Sequence, residues 1–557
     1  MLDEFAKRLG YSKGEALLNI YMLKTNENRE VLHNFLSVHA GGNLWVYELI
    51  SKEPIDEEIS EKLKEYGFKN PEKAKELFIS LVDGPSHNLN PLHVRESIIK
   101  IIPYLCEQFS KMVDADSSLE RFCSQMLKIP MPAAVYSILS ENVNLCKVFV
   151  SLTSFAPSLS DIWARNPSVL EVLFQGDAYS SIPPISDLQE ILVSMKESVN
   201  PISAHYRLKD EEFIRIATGD ILGNYNVFEV AKQLTQLAEL IVQDVTQDIF
   251  SEFSSLYGDV GIPFAIVGLG KIGGGEMTYG SDLDLIFVYD DMDIWDSGNG
   301  ERNLEDISLS EFFSRVASRI IERLKQPTQF GSLYEVDPRL RPYGSRGALA
   351  ISLTQLEDYY ENEADLWEKM ALMKARVIFA QGSFGNKLSQ ILNRLAFHFR
   401  VTTEDVQKSE NIRIKMVQQA SPDNLKKSEG GVAELEYIVR WWQRLKVEEY
   451  PTLATPSVVN ALNILMSISP EHLDKWQFLK DTFETYLLIL NRYRLFTGIR
   501  SSTLSEEVLS LFPEILPEIE FKFPPRVFLS NIKEGVHQFY LETLIEIEKW
   551  IKTSSLR

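Results

Sequence analysis

Asp282 and Asp284, one leucine apart, carry the spacing in this chain that most directly suggests chemistry. They open an apolar stretch, Asp282 to Tyr289, that reads as a β-strand. Alternate side chains of a strand share a face, so the two carboxylates point the same way. Two such groups repel each other unless a cation lies between them. Hard oxygen ligands suit Mg²⁺, which is usually held by one or two carboxylates together with substrate phosphates. Upstream, Phe264 to Leu269 reads as a strand running into a glycine-rich turn ending at Ser281, where Gly273 and Gly274 leave room for backbone N–H groups to approach a phosphate. Downstream, Leu333 to Arg341 (LYEVDPRLR) reads as a strand with Asp337, Arg339 and Arg341 on one face. The acid would complete a metal site, and guanidiniums bind phosphate oxygens in pairs. Lys374 and Arg376 follow a helix expected over Leu353 to about Met373 and are further candidates for holding a nucleotide.

Three carboxylates from two strands beside a glycine turn form the constellation that two-metal nucleotidyl transfer requires. One Mg²⁺ would activate the attacking oxygen and the other would neutralise the triphosphate and its leaving group. Asp337, on the nucleophile side, could take up the proton. A tyrosine or serine hydroxyl is a poor nucleophile unless activated in this way. Other readings compete. Gly268, Gly270 and Gly273 fit GxGxxG with Asp290 about 20 residues on, but a dinucleotide site needs a helix of several turns before the next strand, and only Gly274 to Ser281 is available. An isolated Asp-x-Asp is more often a solvated strand end. Asp337, Arg339 and Arg341 could form a surface salt-bridge stripe, and Lys374 and Arg376 could simply complement a helix dipole.

The elements that must position these residues are mostly helical. At 557 residues the chain is long enough for several cores, and its net charge of −22 argues against non-specific nucleic-acid binding. Cys106, Cys123 and Cys146 lack CxxC spacing, which suggests neither disulfides nor zinc. No signal-peptide pattern or run of 18 apolar residues is present, so a cytoplasmic protein with no membrane association is expected. The expected organisation is a helical segment at 1–55, a helical lead-in at 56–225, an α+β core at 226–384 and a helical bundle at 385–557. Breaks are expected at Gly41-Gly42, at Pro85 to Pro91 and in a polar loop from Asp291 to Asn303. The longest helix is predicted from Asn226 to about Tyr257, with Val227, Val230, Leu234, Leu237, Ile241, Val245 and Ile249 on one face. Ser308 and Glu311 form a capping box, and Ser352 with Gln355 caps another helix. The fold class is thus mainly α with a small mixed β-sheet between an N-terminal helical region and a C-terminal helical bundle. If that bundle caps the site, Glu434 and Glu436 would face the cleft; complementing their own helix dipole is the alternative.

Four blocks carry a resemblance. GLGKIGGGEMTYGSDLDLIFVYD, DPRLRPYGSRGAL, YYENEADLWEKMALMKARV and GGVAELEYIVRWW resemble the signature blocks of the glutamine synthetase adenylyltransferase family, in order and spacing. LSDIWARNPSVLEVLF and RLKDEEFIRIATGDILGNYNVFEVAKQLTQLAELIV resemble the family's helical lead-in. The resemblance implies a nucleotidyltransferase core like that of DNA polymerase beta. It also implies transfer of AMP from ATP to a tyrosine of glutamine synthetase with Mg²⁺, pyrophosphate as product, and control of nitrogen assimilation. Family members usually join two such halves, one removing AMP by phosphorolysis and the other attaching it. This chain carries one core. YGFKNPEKAKELFISL, Tyr279-Gly-Ser281 and Glu363-Ala364 resemble the attaching half, and LGYSKGEALLNIY resembles the end of the other. Implied partners are glutamine synthetase, a PII-type signalling protein and a separate chain supplying the missing half. Rival expectations are phosphorolytic removal of AMP by the same core, and a non-catalytic docking module. The chain departs from the family pattern at Pro338, where an apolar residue is usual, and at Glu434, where aspartate is usual.

Overall fold

The computed structural model describes residues 2–554 apart from 19, 22–23, 25–43, 52–53, 85–89, 177, 259 and 292–306. The expected break at Gly41-Gly42, most of that at Pro85 to Pro91 and nearly all of the loop from Asp291 to Asn303 lie outside this set. The chain divides into two compact units, Met1–Val150 and Ser151–Arg557.

The first unit is helical. Its helices Pro71–Asp83, Leu92–Phe109 and Ala115–Met126 pack around Phe68, Phe78, Phe109 and Phe122, whose rings meet edge to face. Asp56, Asn70 and Asp114 each cap a helix by accepting a backbone N–H. Cys106, Cys123 and Cys146 are buried thiols. Burial pushes Cys123 and Cys146 up to about 12 and Cys106 higher still, so these sulfurs behave as packing groups.

The second unit holds the sheet. Two long helices lead into it, α1 (Pro201–Ile221) and α2 (Val227–Tyr257). Asn226 starts α2 with a reciprocal capping box to Glu229, and all seven predicted apolar positions are buried. Gly258, at φ 78°, ends it. Strand β1 (Phe264–Gly268) is buried on both faces and runs into a single helical turn, α3 (Gly270–Gly274). Strand β2 (Leu283–Tyr289) returns antiparallel to it, with Gly268 opposite Leu285. This hairpin removes the dinucleotide reading, which requires a parallel β-helix-β unit. Helix α4 (Leu309–Lys325) follows, capped by Ser308, with Phe312, Val316, Ile320 and Leu324 buried.

Three short strands complete a five-stranded mixed sheet of order β3-β2-β1-β5, with β4 paired to β2. They are β3 (Val336–Asp337), β4 (Ala350–Ser352) and β5 (Arg376–Ala380). The strand expected over Leu333 to Arg341 is therefore two residues long. Pro338 lacks an N–H for the ladder, and the chain leaves the sheet there. Residues 338–349 loop out before β4 rejoins the far end of β2. The helix expected over Leu353 to Met373 is also broken. Its pieces are Leu353–Asp358, a wide turn at Tyr359–Glu363, and Leu366–Leu372, restarted by the capping box of Asp365 and Glu368.

Beyond the sheet lies a helical bundle that includes α5 (Thr403–Gln419), α6 (Val432–Lys446), α7 (Val458–Ile468), α8 (Leu473–Thr497) and α9 (Pro525–Ser554). Its core contains Leu435, Ile438, Val439, Trp442, Trp476, Phe483 and Leu490. A second core joins Ala265, Val267, Ile286 and Val288 of the sheet to Leu388, Leu392 and Trp441. The fold is mainly α with a small mixed sheet. Among the described residues no helix is long and apolar enough to cross a membrane.

Candidate functional site

The site lies where the edge of the sheet is interrupted. β2 and β3 run parallel with Asp284 directly opposite Asp337, so residues far apart in sequence share one face of the sheet. Asp282 precedes the strand and is exposed, while Asp284 is half-buried. The turn that opens α3 packs onto this strand end, with the Leu269 N–H donating to the Asp284 carbonyl at 2.9 Å. Gly270, at φ 53°, lies against the carboxylate itself. A Cβ there would fall 2.2 Å from Asp284 Oδ2, so glycine is required by backbone conformation and by space.

Burial, reinforced by the charges of Asp337 and Asp282 and opposed by Lys426 and Lys374, raises the Asp284 carboxyl to about 6. Asp337 is held below the usual carboxylate range, chiefly by hydrogen bonds from Arg339. That arginine reaches it across a tight turn, donating its backbone N–H at 2.9 Å and its guanidinium at 2.5–3.0 Å. The pairing of Arg339 with Asp337 is thus a local turn rather than a shared strand face. With Asp337 folded onto Arg339, the three carboxylates are neighbours but their oxygens are not drawn into one tight cluster. Among the described residues the group of three with ligand atoms within 4.8 Å of one another is elsewhere, His205, Asp244 and Asp248. There Lys196 already bridges both aspartates, at 2.7 and 2.8 Å, and supplies the positive charge.

The basic side of the site differs from the sequence expectation. Arg341 is buried, donating to the carbonyls of Pro338, Gly347 and Ala348. It holds the 338–349 loop in shape, which takes it away from a phosphate. Gly273 gives its N–H to the Leu269 carbonyl, and a Cβ there would lie 1.9 Å from the Lys374 carbonyl. Its glycine is a packing requirement and not a phosphate cradle. Gly274 faces the Glu276 carboxylate, 2.8 Å from where a Cβ would sit. Lys374 is buried between Glu436 and Glu276, and Arg376 binds Glu239 and the carbonyls of Ile272 and Gly273. Both residues clamp the glycine turn. The Ser281 hydroxyl lies 3.0 Å from the Thr278 hydroxyl and accepts the Thr278 N–H. Tyr279 is buried and donates to Asp220, so it anchors the loop rather than facing a ligand.

Three cations that the sequence reading did not single out stand around the glycine turn and the acids. Lys271, inside the glycine turn, donates to Thr278 Oγ1 at 2.8 Å. Burial, with Arg494 and Lys426 adding repulsion, depresses its pKa well below the usual lysine range. Arg494, on α8, donates to Thr278 Oγ1 and to the Tyr279 carbonyl, and burial lowers it to about 10 against the pull of Asp282. Lys426, exposed on the loop before α6, is the largest charge opposing the raised pKa of Asp284. Lys271 was legible as a lysine within a glycine turn. Lys426 and Arg494 gave no local signal, since each lies more than 140 residues from Asp284.

Glu434 and Glu436 part company. Glu436 faces the site and pairs with Lys374, which overcomes burial and holds it below the usual range. Glu434 is fully buried in the bundle, bound to Arg413, the Gly430 N–H and His537. Two residues along a helix turn a side chain by roughly 200°, so both could not face one cleft. The bundle also grips the core through Glu276, whose carboxylate accepts the N–H groups of Val458 and Val459 and the Ser457 hydroxyl at the start of α7.

Comparison with known proteins finds similarity over the region that holds the sheet. The family described as glutamate-ammonia ligase adenylyltransferase matches residues 146–391, which span α1 to β5 and all three aspartates. A bifunctional glutamine synthetase adenylyltransferase/adenylyl-removing enzyme of Thioalkalivibrio sulfidiphilus is 28% identical over 459 residues, 78% of this chain and 46% of that protein. The chain is related to the glutamate-ammonia ligase adenylyltransferases. The protein of the same name from Agrobacterium fabrum is 29% identical over 402 residues, 69% of this chain and 40% of its own length. That of Rhodopseudomonas palustris is 28% identical over 418 residues, 74% of this chain and 42% of its own. The chain spans about half the length of the curated relatives it matches.

Proposed function

We propose that this chain transfers AMP from ATP to a tyrosine of glutamine synthetase, with Mg²⁺ held by Asp282, Asp284 and Asp337. The observation that carries the reading is the in-register pair Asp284–Asp337 beside Asp282, with Lys426 and Lys374 acting on Asp284 and Arg494 on Asp282. Anions on one side and cations on the other suit a metal-bound triphosphate. The fit to a divalent cation rests on a carboxyl raised by burial and by its acidic neighbours and on Gly270, whose missing Cβ lets Asp284 Oδ2 lie where a side chain would otherwise stand. The cation, when bound, neutralises charge on the phosphates and lowers the pKa of a coordinated hydroxyl.

The chain's own groups do the rest. Lys271 and Lys426 hold phosphate oxygens, with the Gly274 turn and Ser281 beside them, and Arg494 fixes the Thr278–Tyr279 end of that turn. Lys271, depressed by burial, regains its full charge as the phosphates approach. Lys374 and Arg376 keep the glycine turn seated under the acids. Asp337, released from Arg339, is placed to accept the phenol proton, and Arg339 is then free to meet a phosphate. The phenolic oxygen bonds to the α-phosphorus, and the bond to the pyrophosphate oxygen breaks. A second direction has support in the relatives' printed names: the same core would cleave AMP from the tyrosine with inorganic phosphate, yielding ADP.

The test is incubation with Mg²⁺, glutamine synthetase and ATP labelled at the α-phosphorus. Label passes to glutamine synthetase with the wild type, and transfer falls by about 10³-fold or more with Asp284→Asn, the order expected for loss of metal-held charge stabilisation. Equal transfer by the variant refutes the assignment of Asp284. Release of ADP from adenylylated glutamine synthetase on adding phosphate, without forward transfer, establishes the reverse direction instead.

A further inference from the structure

A cavity of about 250 Å³ lies behind the Thr278–Ser281 segment, bounded by α1, the end of α8 and the chain near Arg165 and Tyr334. Four cations line it, Arg165, Lys209, Arg494 and Arg500, in a chain of net charge −22. Its acids do not balance them. Asp210 is engaged by Arg165 at 2.8 Å and Glu335 by Lys325 at 3.5 Å, and Asp161 is exposed. Among the described residues, Lys209, Arg494 and Arg500 have no carboxylate within salt-bridge distance.

The cations are also short of acceptors. Lys209 donates to the Ser332 carbonyl at 3.1 Å and otherwise lies over the Tyr334 ring at 5.0 Å. Arg494 Nε is buried without a hydrogen-bond partner. Burial, with Arg165 and Arg500 adding repulsion against Asp210, lowers Lys209 to about 8. Uncompensated charge of this kind is costly to enclose, and a bound anion removes the cost.

We infer that this cavity is a binding site for a small oxyanion, a phosphate or a carboxylate, held by Lys209, Arg494 and Arg500. None of the three aspartates lines it, and its occupation does not depend on the proposed AMP transfer. The two are joined by one segment. Arg494 hydrogen-bonds Thr278 and Tyr279, which run directly into Ser281 and Asp282. An anion drawing on Arg494 would therefore bear on the position of Asp282, giving the site a route to control the carboxylates.

The experiment is thermal melting of the full chain in EDTA, titrated with inorganic phosphate or succinate against chloride of matched ionic strength. The melting temperature of the wild type rises by several degrees with at least one of the two anions, and the more effective one identifies the ligand class. Lys209→Met and the exposed Arg500→Ala each weaken the apparent affinity at least tenfold, while Asp284→Asn keeps it. Two variants are used so that a folding defect in one leaves the other decisive. No rise with either anion, or a rise unchanged in both cavity variants, overturns the site. A rise lost in Asp284→Asn also overturns it, because the anion then sits with the carboxylates.

Discussion

Two acidic clusters in the second unit look alike in composition and differ in how their charge is met. In the bundle, Glu410 and Glu434 enclose Arg413, with Tyr540 donating to Glu410 and His537 beside Glu434. Burial opposes the charge on Glu410, but hydrogen bonds from Arg413 and Tyr540 outweigh it and hold the carboxyl below its usual range. At the sheet edge, Asp282, Asp284 and Asp337 stand together, and Asp284 is driven up to about 6 by burial and by its neighbours. The first cluster is complete without a ligand, and its acids hold the fold together. In the second, Asp337 is met by Arg339, but Asp284 has no direct ion-pair partner and is held up by burial and by the charges of Asp337 and Asp282. Electrostatic incompleteness, rather than acidity, separates a site from a strut.

The largest expected difference comes from breaking the complete cluster. Glu434→Ala leaves the buried Arg413 with Glu410 alone and the Gly430 N–H without its acceptor, and lowers stability by about 3–5 kcal/mol in denaturant titration, with the proposed AMP transfer per folded molecule little changed. Asp284→Asn has the opposite sign. In the metal-free wild type the folded protein holds the Asp284 proton up to about pH 6, whereas the unfolded chain loses it near 4. Stability from this group is therefore full below about pH 4 and is lost as pH rises through 6, by up to about 3 kcal/mol. Asp337, depressed by Arg339, contributes with the reverse slope, so the difference between wild type and Asp284→Asn isolates the Asp284 term. Melting curves from pH 4 to 7 measure it, and a variant with the same slope as wild type contradicts the repulsion.

Gly270→Ala sharpens the comparison on a smaller scale. A methyl group at φ 53° and 2.2 Å from Asp284 Oδ2 costs about 1–3 kcal/mol and displaces the carboxylate, so the proposed AMP transfer falls more than stability does. Arg339→Ala gives the smallest effect, with little change in stability, because the pair it breaks is exposed on the arginine side. Its readout is the Asp337 carboxyl, which moves back up toward the ordinary range in an NMR titration.

The sequence carried the acids and their strand because both obey local rules. Asp282 and Asp284 flank Leu283 at the head of a buried apolar run, and α2 shows its face through seven regularly spaced residues. Asp337 was legible as an acid on a strand, but the register that brings it opposite Asp284 is set by chain returning after 53 residues, which no local pattern reveals. The basic side was hard to read for the same reason. Arg339, Arg341, Lys374 and Arg376 stood near the motifs, but three of the four are engaged in holding loops. Lys426 and Arg494 reach the site from the bundle through tertiary packing that no period reveals. The difference between Glu434 and Glu436 was legible in principle from the helical turn of 100° per residue, had their common helix been used to separate them.

Magnesium titration of the full chain at pH 7, followed by the melting temperature, tests most directly whether the three carboxylates await a cation. Mg²⁺ should raise the melting temperature of the wild type and of a Glu436→Gln control, and leave that of Asp284→Asn unchanged. Equal stabilisation of Asp284→Asn and wild type, or no effect on either, would contradict the assignment of Asp282, Asp284 and Asp337 as the metal site.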